Sequence, residues 1–222
     1  MSKIKQFDYP FFAREGKIHL GIAFFCGFLS TWLWGLGSIP VWVLVLFVVQ
    51  FFRDPRRNIS TQPGAVVSPA SGKIVAIEEV ANPYIEGVKS RKVSVFMNVF
   101  SVHSNLIPFA GEVRGVWYHP GKFVNAALDK ASSENERNAV WIHTAEGDDI
   151  VSVQIAGLIA RRILCYVKKG DQVETGQRYG FIRFGSRVDL YLPLETRVSI
   201  KLGQWVSSGN DVIGLITPKS VS

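Results

Sequence analysis

Between residues 20 and 52 the chain carries no Asp, Glu, Lys or Arg. Two apolar runs, residues 20–34 and 39–52, flank Gly35-Leu36-Gly37-Ser38, with Pro40 just inside the second. At about 1.5 Å per residue each run reaches only about 22 Å as a helix, short of the roughly 20 residues of a full span. Two arrangements remain: a helical hairpin in a bilayer, or one kinked span. The flanks choose between them. Lys3, Lys5, Arg14 and Lys17 precede the stretch, and Arg53, Arg56 and Arg57 follow it. Basic residues favour the cytoplasmic side, so both ends belong there, which a hairpin satisfies and a single span does not. The long charged leader and the lack of a small-x-small site argue against a cleaved signal peptide. A core helix pair of a soluble protein would show a polar stripe, and none is present. Residues 1–60 are therefore expected to anchor the chain on the cytoplasmic face of the cell membrane.

From residue 66 onward the pattern becomes short β-type runs separated by turns. Residues 73–77, 93–97, 150–155 and 187–192 are each of strand length and rich in β-branched residues. Helical signal is sparse, with a short helix expected over residues 123–132. One internal repeat stands out. Lys168-Lys169-Gly170-Asp171-Gln172-Val173-Glu174-Thr175-Gly176 and Lys201-Leu202-Gly203-Gln204-Trp205-Val206-Ser207-Ser208-Gly209 share K-x-G-x-x-V-x-x-G. This resembles the hammerhead turns of biotinyl and lipoyl carrier domains. Residues 61–222 are expected to form one mainly β domain, a carrier-like β-sandwich or barrel.

Composition changes this picture only a little. With 47% hydrophobic and 19% charged residues, the chain is neither disordered nor collagen-like. The 25 basic against 18 acidic residues give +7, which suits nucleic acid or an anionic surface. No basic helix or stacking aromatic stripe is present, and part of the charge flanks the apolar stretch, so the expected partner is an anionic phospholipid membrane and not nucleic acid. Cys26 and Cys165 make no disulfide framework, and no His or Cys spacing suits a metal. A reducing compartment follows.

Candidate chemistry is confined to a few residues. His19 and His143 read as interfacial or structural, and His119 sits beside a turn. His103 directly follows the apolar strand in Phe96-Met97-Asn98-Val99-Phe100-Ser101-Val102-His103. Gly185-Ser186 reads first as a turn entering a strand. It also permits self-attack: a serine oxygen can add to the carbonyl before it, and glycine there removes the Cβ obstacle and tolerates strain. Elimination from the resulting ester leaves dehydroalanine, which hydrolyses to a pyruvoyl group.

Several separate stretches raise that second reading. Ile155-Ala156-Gly157-Leu158-Ile159-Ala160-Arg161-Arg162-Ile163, Gly180-Phe181-Ile182-Arg183-Phe184-Gly185-Ser186-Arg187-Val188-Asp189-Leu190-Tyr191-Leu192-Pro193, Pro120-Gly121-Lys122-Phe123-Val124-Asn125-Ala126 and Asp129-Lys130-Ala131-Ser132-Ser133-Glu134-Asn135-Glu136-Arg137 closely resemble short-form phosphatidylserine decarboxylase proenzymes, from about residue 51 to 214. The resemblance implies self-cleavage before Ser186 into a β chain, 1–185, and an α chain, 186–222, that stay together. Ser186 becomes the covalent pyruvoyl cofactor, and no metal is needed. The pyruvoyl ketone would form a Schiff base with the amine of phosphatidylserine and absorb the electrons left by CO₂, yielding phosphatidylethanolamine. His103 matches the family's Val-His motif and is the implied proton-transfer residue. Asn135, Arg137, Arg161 and Arg162 are candidates for binding the lipid phosphate or carboxylate. A homo-oligomer is compatible with the pattern, which sets no copy number.

Three departures from the resemblance matter. Short-form members usually read Ser-Pro-Ala-Asp-Gly, whereas this chain reads Ser68-Pro69-Ala70-Ser71-Gly72. The family is thought to use that aspartate in maturation, and a serine hydroxyl cannot stabilise an imidazolium by charge. Ser101 stands where Asn or Asp is commoner, and Leu106 where Arg is common. Glu78 and Glu79 are the acids that could compensate, on opposite faces of a strand. Two alternatives therefore stand beside the enzyme: a cleavage-impaired family member, and a non-enzymatic membrane-anchored adaptor of carrier-like fold. The adaptor explains the repeat and the anchor but not Gly185-Ser186, Asn135-Glu136-Arg137 or Val102-His103, and the chain lacks the carrier's Met-Lys-Met tip.

Overall fold

The uncharged N-terminal stretch folds back on itself. In the computed structural model, which describes residues 7, 9–126, 131–158, 162–183 and 185–217, helices α1 (Lys17–Trp34) and α2 (Ile39–Phe51) run antiparallel through a 3₁₀ turn, Gly35–Ser38. The turn is tied by polar side chains. Ser38 Oγ donates to the Gly35 carbonyl at 2.7 Å, and Thr31 Oγ1 donates to Ser38 Oγ at 3.1 Å. Gly27 lets Trp42 approach α1, where the Trp42 indole donates to Thr31 Oγ1 at 2.9 Å. At the open end Ala13 N–H donates to the Phe52 carbonyl at 2.7 Å, and Phe12 bridges Arg53. The helical stretch Arg14–Phe51 has the apolar composition of a membrane-crossing segment, but its arms are 18 and 13 residues long. Its outer surface exposes Phe25, Phe28, Trp32, Leu36, Val43 and Leu46. These residues belong to a unit, Asp8–Arg56, that is compact apart from the rest of the chain.

The body is mainly β. Its strands are β1 (Ala65–Val67), β2 (Gly72–Ala81), β3 (Lys89–Met97), β4 (Ser104–Leu106), β5 (Gly111–His119), β6 (Arg137–His143) and β7 (Asp149–Ile155), followed by β8 (Ile163–Cys165), β9 (Gln172–Val173), β10 (Arg178–Ile182), β11 (Ser186–Pro193), β12 (Arg197–Val198), β13 (Trp205–Val206) and β14 (Val212–Leu215). Eight of them form a curled sheet in the order β13-β2-β3-β11-β7-β6-β5-β9, and two three-stranded sheets, β1-β14-β12 and β4-β10-β8, accompany it. One face of the curled sheet packs Ile74, Val95, Met97, Val188 and Leu190 against Val66 and Ile213. On the other face Val151, Val153, Ile155 and Tyr191 pack under Tyr84, Trp117 and Trp141. The central strands β11 and β7 are thus buried on both sides, which is why they read as unbroken strand signals.

The K-x-G-x-x-V-x-x-G repeat is structural. Its four glycines, Gly170, Gly176, Gly203 and Gly209, all have positive φ, between 75° and 91°, which side-chain-bearing residues rarely adopt. Val173 and Val206 are each 4% exposed, and β9 and β13 cap opposite edges of the curled sheet. Burying each valine contributes about 1.5–3 kcal/mol. The helix expected over residues 123–132 is absent from its first four residues, and residues 127–130 lie outside the described ones. Among the described residues helix occurs there only in α3 (Ala131–Glu134), while residues 122–126 are held extended against Asn135. Backbone satisfaction by a side chain outcompetes helix propensity at that point.

Candidate functional site

Two crossovers between the same pair of sheets lie side by side. β3 pairs with β11, placing Met97 opposite Ser186, and β4 pairs with β10, placing Ser104 opposite Phe181. Residues 98–103 and 183–185 make the two connections in opposite directions. His103, at the end of the first, is fully buried; its carbonyl accepts the Ile182 N–H at 3.3 Å, and its ring lies 6.4 Å from that of Phe181. Ser186 opens β11 at the end of the second. The two residues singled out for chemistry thus come to the same edge of the fold from chain positions 83 apart.

The backbone before Ser186 is special. Gly185 has φ +54°, a left-handed conformation in which glycine avoids the strain of a Cβ. Gly157 lies flush against it, and a Cβ built on Gly157 would collide with the Gly185 carbonyl oxygen. Ser186 Oγ is buried and has no hydrogen-bond partner among the described residues. Such an orphaned hydroxyl is disfavoured by about 1–3 kcal/mol.

Asn135 builds the wall beside this backbone. Its side-chain Nδ2 donates to the Val124 and Ala156 carbonyls, each at 2.7 Å, and Oδ1 accepts the Val124 N–H at 3.0 Å. Its amide therefore ties the segment before Ala126 to the residue before Gly157. Arg137 is half-buried, donating to the Asn135 carbonyl at 3.4 Å and lying beside Tyr84, whose phenol is pushed up by burial while the Arg137 charge opposes that rise. Arg162 is exposed just before β8. Arg161 lies outside the described residues. Of the described candidates for anion binding, the structure leaves Arg162 most open to a ligand and commits Asn135 to the backbone.

The residues flanking Ser71 touch both strands joined by the first crossover. Gly72 packs on the Phe96 carbonyl at the end of β3, and the Pro69 carbonyl accepts the Leu106 N–H of β4 at 2.9 Å. Ser71 Oγ donates to Ser208 Oγ at 3.0 Å and accepts the Ser208 N–H at 2.9 Å. Arg57 Nε donates to Ser208 Oγ at 3.3 Å, and Arg57 Nη2 to Ser104 Oγ, next to His103, at 2.6 Å. A hydroxyl and guanidinium network thus occupies the place where a carboxylate was expected. Neither glutamate substitutes for it: Glu78 pairs with Lys92 at 2.8 Å and Glu79 with Arg91 at 2.9 Å. Both lie six or more residues up β2, about 20 Å away at the rise of a strand.

The best-formed cavity, about 450 Å³, is lined by Ile59, Gln62, Phe109, Glu146, Asp148 and Thr175 among others, and includes none of the residues above. Among the described residues no group of three or more His, Cys, Asp or Glu is placed to hold a metal. Sequence reasoning missed Gly157, Arg57 and Ser208. Gly157 lay inside a recognised motif, but only the fold shows that it meets Gly185.

The chain is similar to known proteins along most of its length. A family model described as phosphatidylserine decarboxylase matches residues 44–214. The chain is 52% identical over 211 residues to a phosphatidylserine decarboxylase proenzyme of Nitrosomonas europaea, covering 93% of this chain and 96% of that one. It is 56% identical to the protein of the same name from Ralstonia pickettii, covering 91% and 94%, and 53% identical to that of Burkholderia cenocepacia, covering 93% and 97%.

Proposed function

Since the chain belongs to the phosphatidylserine decarboxylase family, we propose that it cuts itself between Gly185 and Ser186 and then converts phosphatidylserine to phosphatidylethanolamine and CO₂. The observation that carries the reading is the buried, unpartnered Ser186 Oγ directly after a left-handed Gly185. Ser186 Oγ adds to the Gly185 carbonyl carbon, the peptide C–N bond breaks, and the Ser186 nitrogen takes up the hydroxyl proton. Loss of the Ser186 Cα proton then expels Gly185 as a carboxylate. Water replaces the remaining nitrogen, which leaves as ammonia. The buried position of Ser186 fits the product in size, since a pyruvoyl group is smaller than serine. That group supplies an electrophilic ketone for the substrate amine and takes up the electron pair left by CO₂.

The chain's own residues supply the rest. His103 is the base for the Ser186 hydroxyl and the proton carrier to the lipid's α carbon, supported by the pairing of the two crossovers. Gly157 keeps the wall beside the Gly185 carbonyl free of side chain. Arg162, exposed just before β8, takes the lipid phosphate. The α1–α2 hairpin holds the protein in the cytoplasmic leaflet of the cell membrane, supported by its exposed apolar surface and basic flanks. Ser71 favours a slow cut, because neither it nor Ser208 can balance an imidazolium.

A denaturing gel of the full chain, run beside Ser186→Ala and followed by CO₂ release from phosphatidylserine vesicles, tests this. The unsubstituted chain should give two bands and release CO₂, and Ser186→Ala one band and none. Equal CO₂ release by both would refute the role of Ser186.

A further inference from the structure

The residues just after Ser186 carry two charges with no place in the chemistry described so far. β11 is buried on both faces, with Val188 and Leu190 on one side and Arg187, Asp189 and Tyr191 on the other. Burying opposite charges two positions apart is unfavourable unless they are paired and hydrogen-bonded throughout. Here they are. Arg187 Nε lies 2.8 Å from Asp189 Oδ1, with both side chains 1% exposed. Arg187 Nη2 also reaches Asp189 Oδ2 at 3.1 Å.

The other ends of this pair leave the strand. Arg187 Nη1 donates to the Ala126 carbonyl at 3.2 Å, and Nη2 donates to Ser132 Oγ. Ser132 Oγ in turn donates to Asp189 Oδ2 at 2.8 Å. Ala126 also borders Gly157, whose added Cβ would stand 3.3 Å from the Ala126 Cβ and against the Gly185 carbonyl. A ring of contacts therefore runs from Arg187 through Ala126 and Gly157 back to the scissile carbonyl. A cut at 185–186 would leave Arg187 and Asp189 on the α chain and Ala126 and Ser132 on the β chain.

We propose that Arg187, Asp189 and Ser132 are positioning residues that form a buried ionic clamp across the cut, holding the new N-terminus of the α chain in register against the Ala126–Gly157 wall. The inference rests on the self-cleavage reading. Before the cut the peptide bond tethers Ser186 to Gly185. Afterwards the reacting residue is a chain end, and strand pairing to Met97 is its last backbone restraint on that side. The clamp sits one residue further on, is shielded from water, and cannot touch substrate. Its planar guanidinium fork fixes direction as well as distance, which an ammonium would not. Misplacing a reacting group by about 1 Å can reduce turnover about 100-fold, so rigidity here translates into rate.

The test uses the full chain with Arg187→Met and Asp189→Leu together, because removing a buried pair as a unit is often neutral for stability. The clamp predicts a folded protein whose self-cleavage and kcat on phosphatidylserine vesicles each fall about tenfold or more, with KM little changed. Arg187→Lys should fall between the two. Wild-type cleavage and kcat in the folded double variant would overturn the proposal. Should the double variant fail to fold, Ser132→Ala, which keeps the ion pair, should lower kcat in the same pattern but less, and an unchanged kcat would overturn the clamp. Hydrogen exchange of residues 131–136 in an uncut Ser186→Ala background separates this from the cleavage reading. Adding the double substitution should speed exchange there, and unchanged exchange overturns the clamp. A wild-type chain that never cuts refutes self-cleavage instead, and the exchange result still decides the clamp.

Discussion

The body contains two regions with matching backbone hydrogen bonds and different chemistry. In one, Ser68-Pro69-Ala70-Ser71-Gly72 leads into β2 beside the turn of residues 201–209. In the other, Ile107-Pro108-Phe109-Ala110-Gly111 leads into β5 beside the turn of residues 168–176. Gly209 N–H donates to the Ser68 carbonyl at 2.9 Å, and Gly176 N–H to that of Ile107 at 2.8 Å. Gly203 and Gly170 donate alike to the Ile74 and Val113 carbonyls, both at 2.8 Å. The side chains then diverge. Ser71 bonds Ser208, and through it meets Arg57, whereas Ala110 offers only its N–H, which donates to Thr175 Oγ1 at 2.8 Å. The strands beyond diverge as well. β3 exits through residues 98–103 to His103, while β6 closes a tight turn in which Thr144 N–H donates to the Asp148 carbonyl at 2.8 Å. The repeated turns serve stability in both regions, and the candidate site lies where one region departs from the other.

The strongest way to break this asymmetry is at the scissile backbone. Gly157→Ala should slow self-cleavage about 100-fold or more, since its methyl must displace the Gly185 carbonyl. A time course of band intensities checks it, and a wild-type rate would mean that the wall can yield. Next in size is the comparison at the two quasi-equivalent positions. Ser71→Asp should speed cleavage about tenfold or more by supplying the missing charge, whereas Ala110→Asp should leave the rate alone. Equal effects would mean that only net charge matters. The smallest effect is in the turns. Val206→Ala and Val173→Ala should each lower unfolding free energy by about 1–3 kcal/mol, read from denaturant midpoints. Only Val206→Ala should also slow cleavage, because its turn carries Ser208.

How much was legible beforehand follows the same division. The repeat was visible because its glycines and valines are fixed by turn geometry and burial. The wider twofold was not, since Ser68-Pro69-Ala70-Ser71-Gly72 and Ile107-Pro108-Phe109-Ala110-Gly111 share only proline and glycine. Their likeness resides in backbone hydrogen bonds. Ser186 and His103 could be named from motifs, but that each stands at the end of a crossover between the same two sheets needed the sheet registers. Arg187 and Asp189 left a signal, a charged i, i+2 pair in an apolar strand, with nothing to show that Ser132 and Ala126 complete it. The helix expected over residues 123–132 failed where Asn135 holds the backbone of Val124. A side chain eleven residues away decided local structure there.

The central claim is that Ser186 becomes the reactive end of a second chain, and the intact mass of each polypeptide in the matured protein tests it most directly. The account predicts two masses, for residues 1–185 and 186–222, the second lighter by one ammonia than a chain beginning with serine. A single mass for all 222 residues after prolonged incubation, or a second chain that still begins with serine, would contradict it.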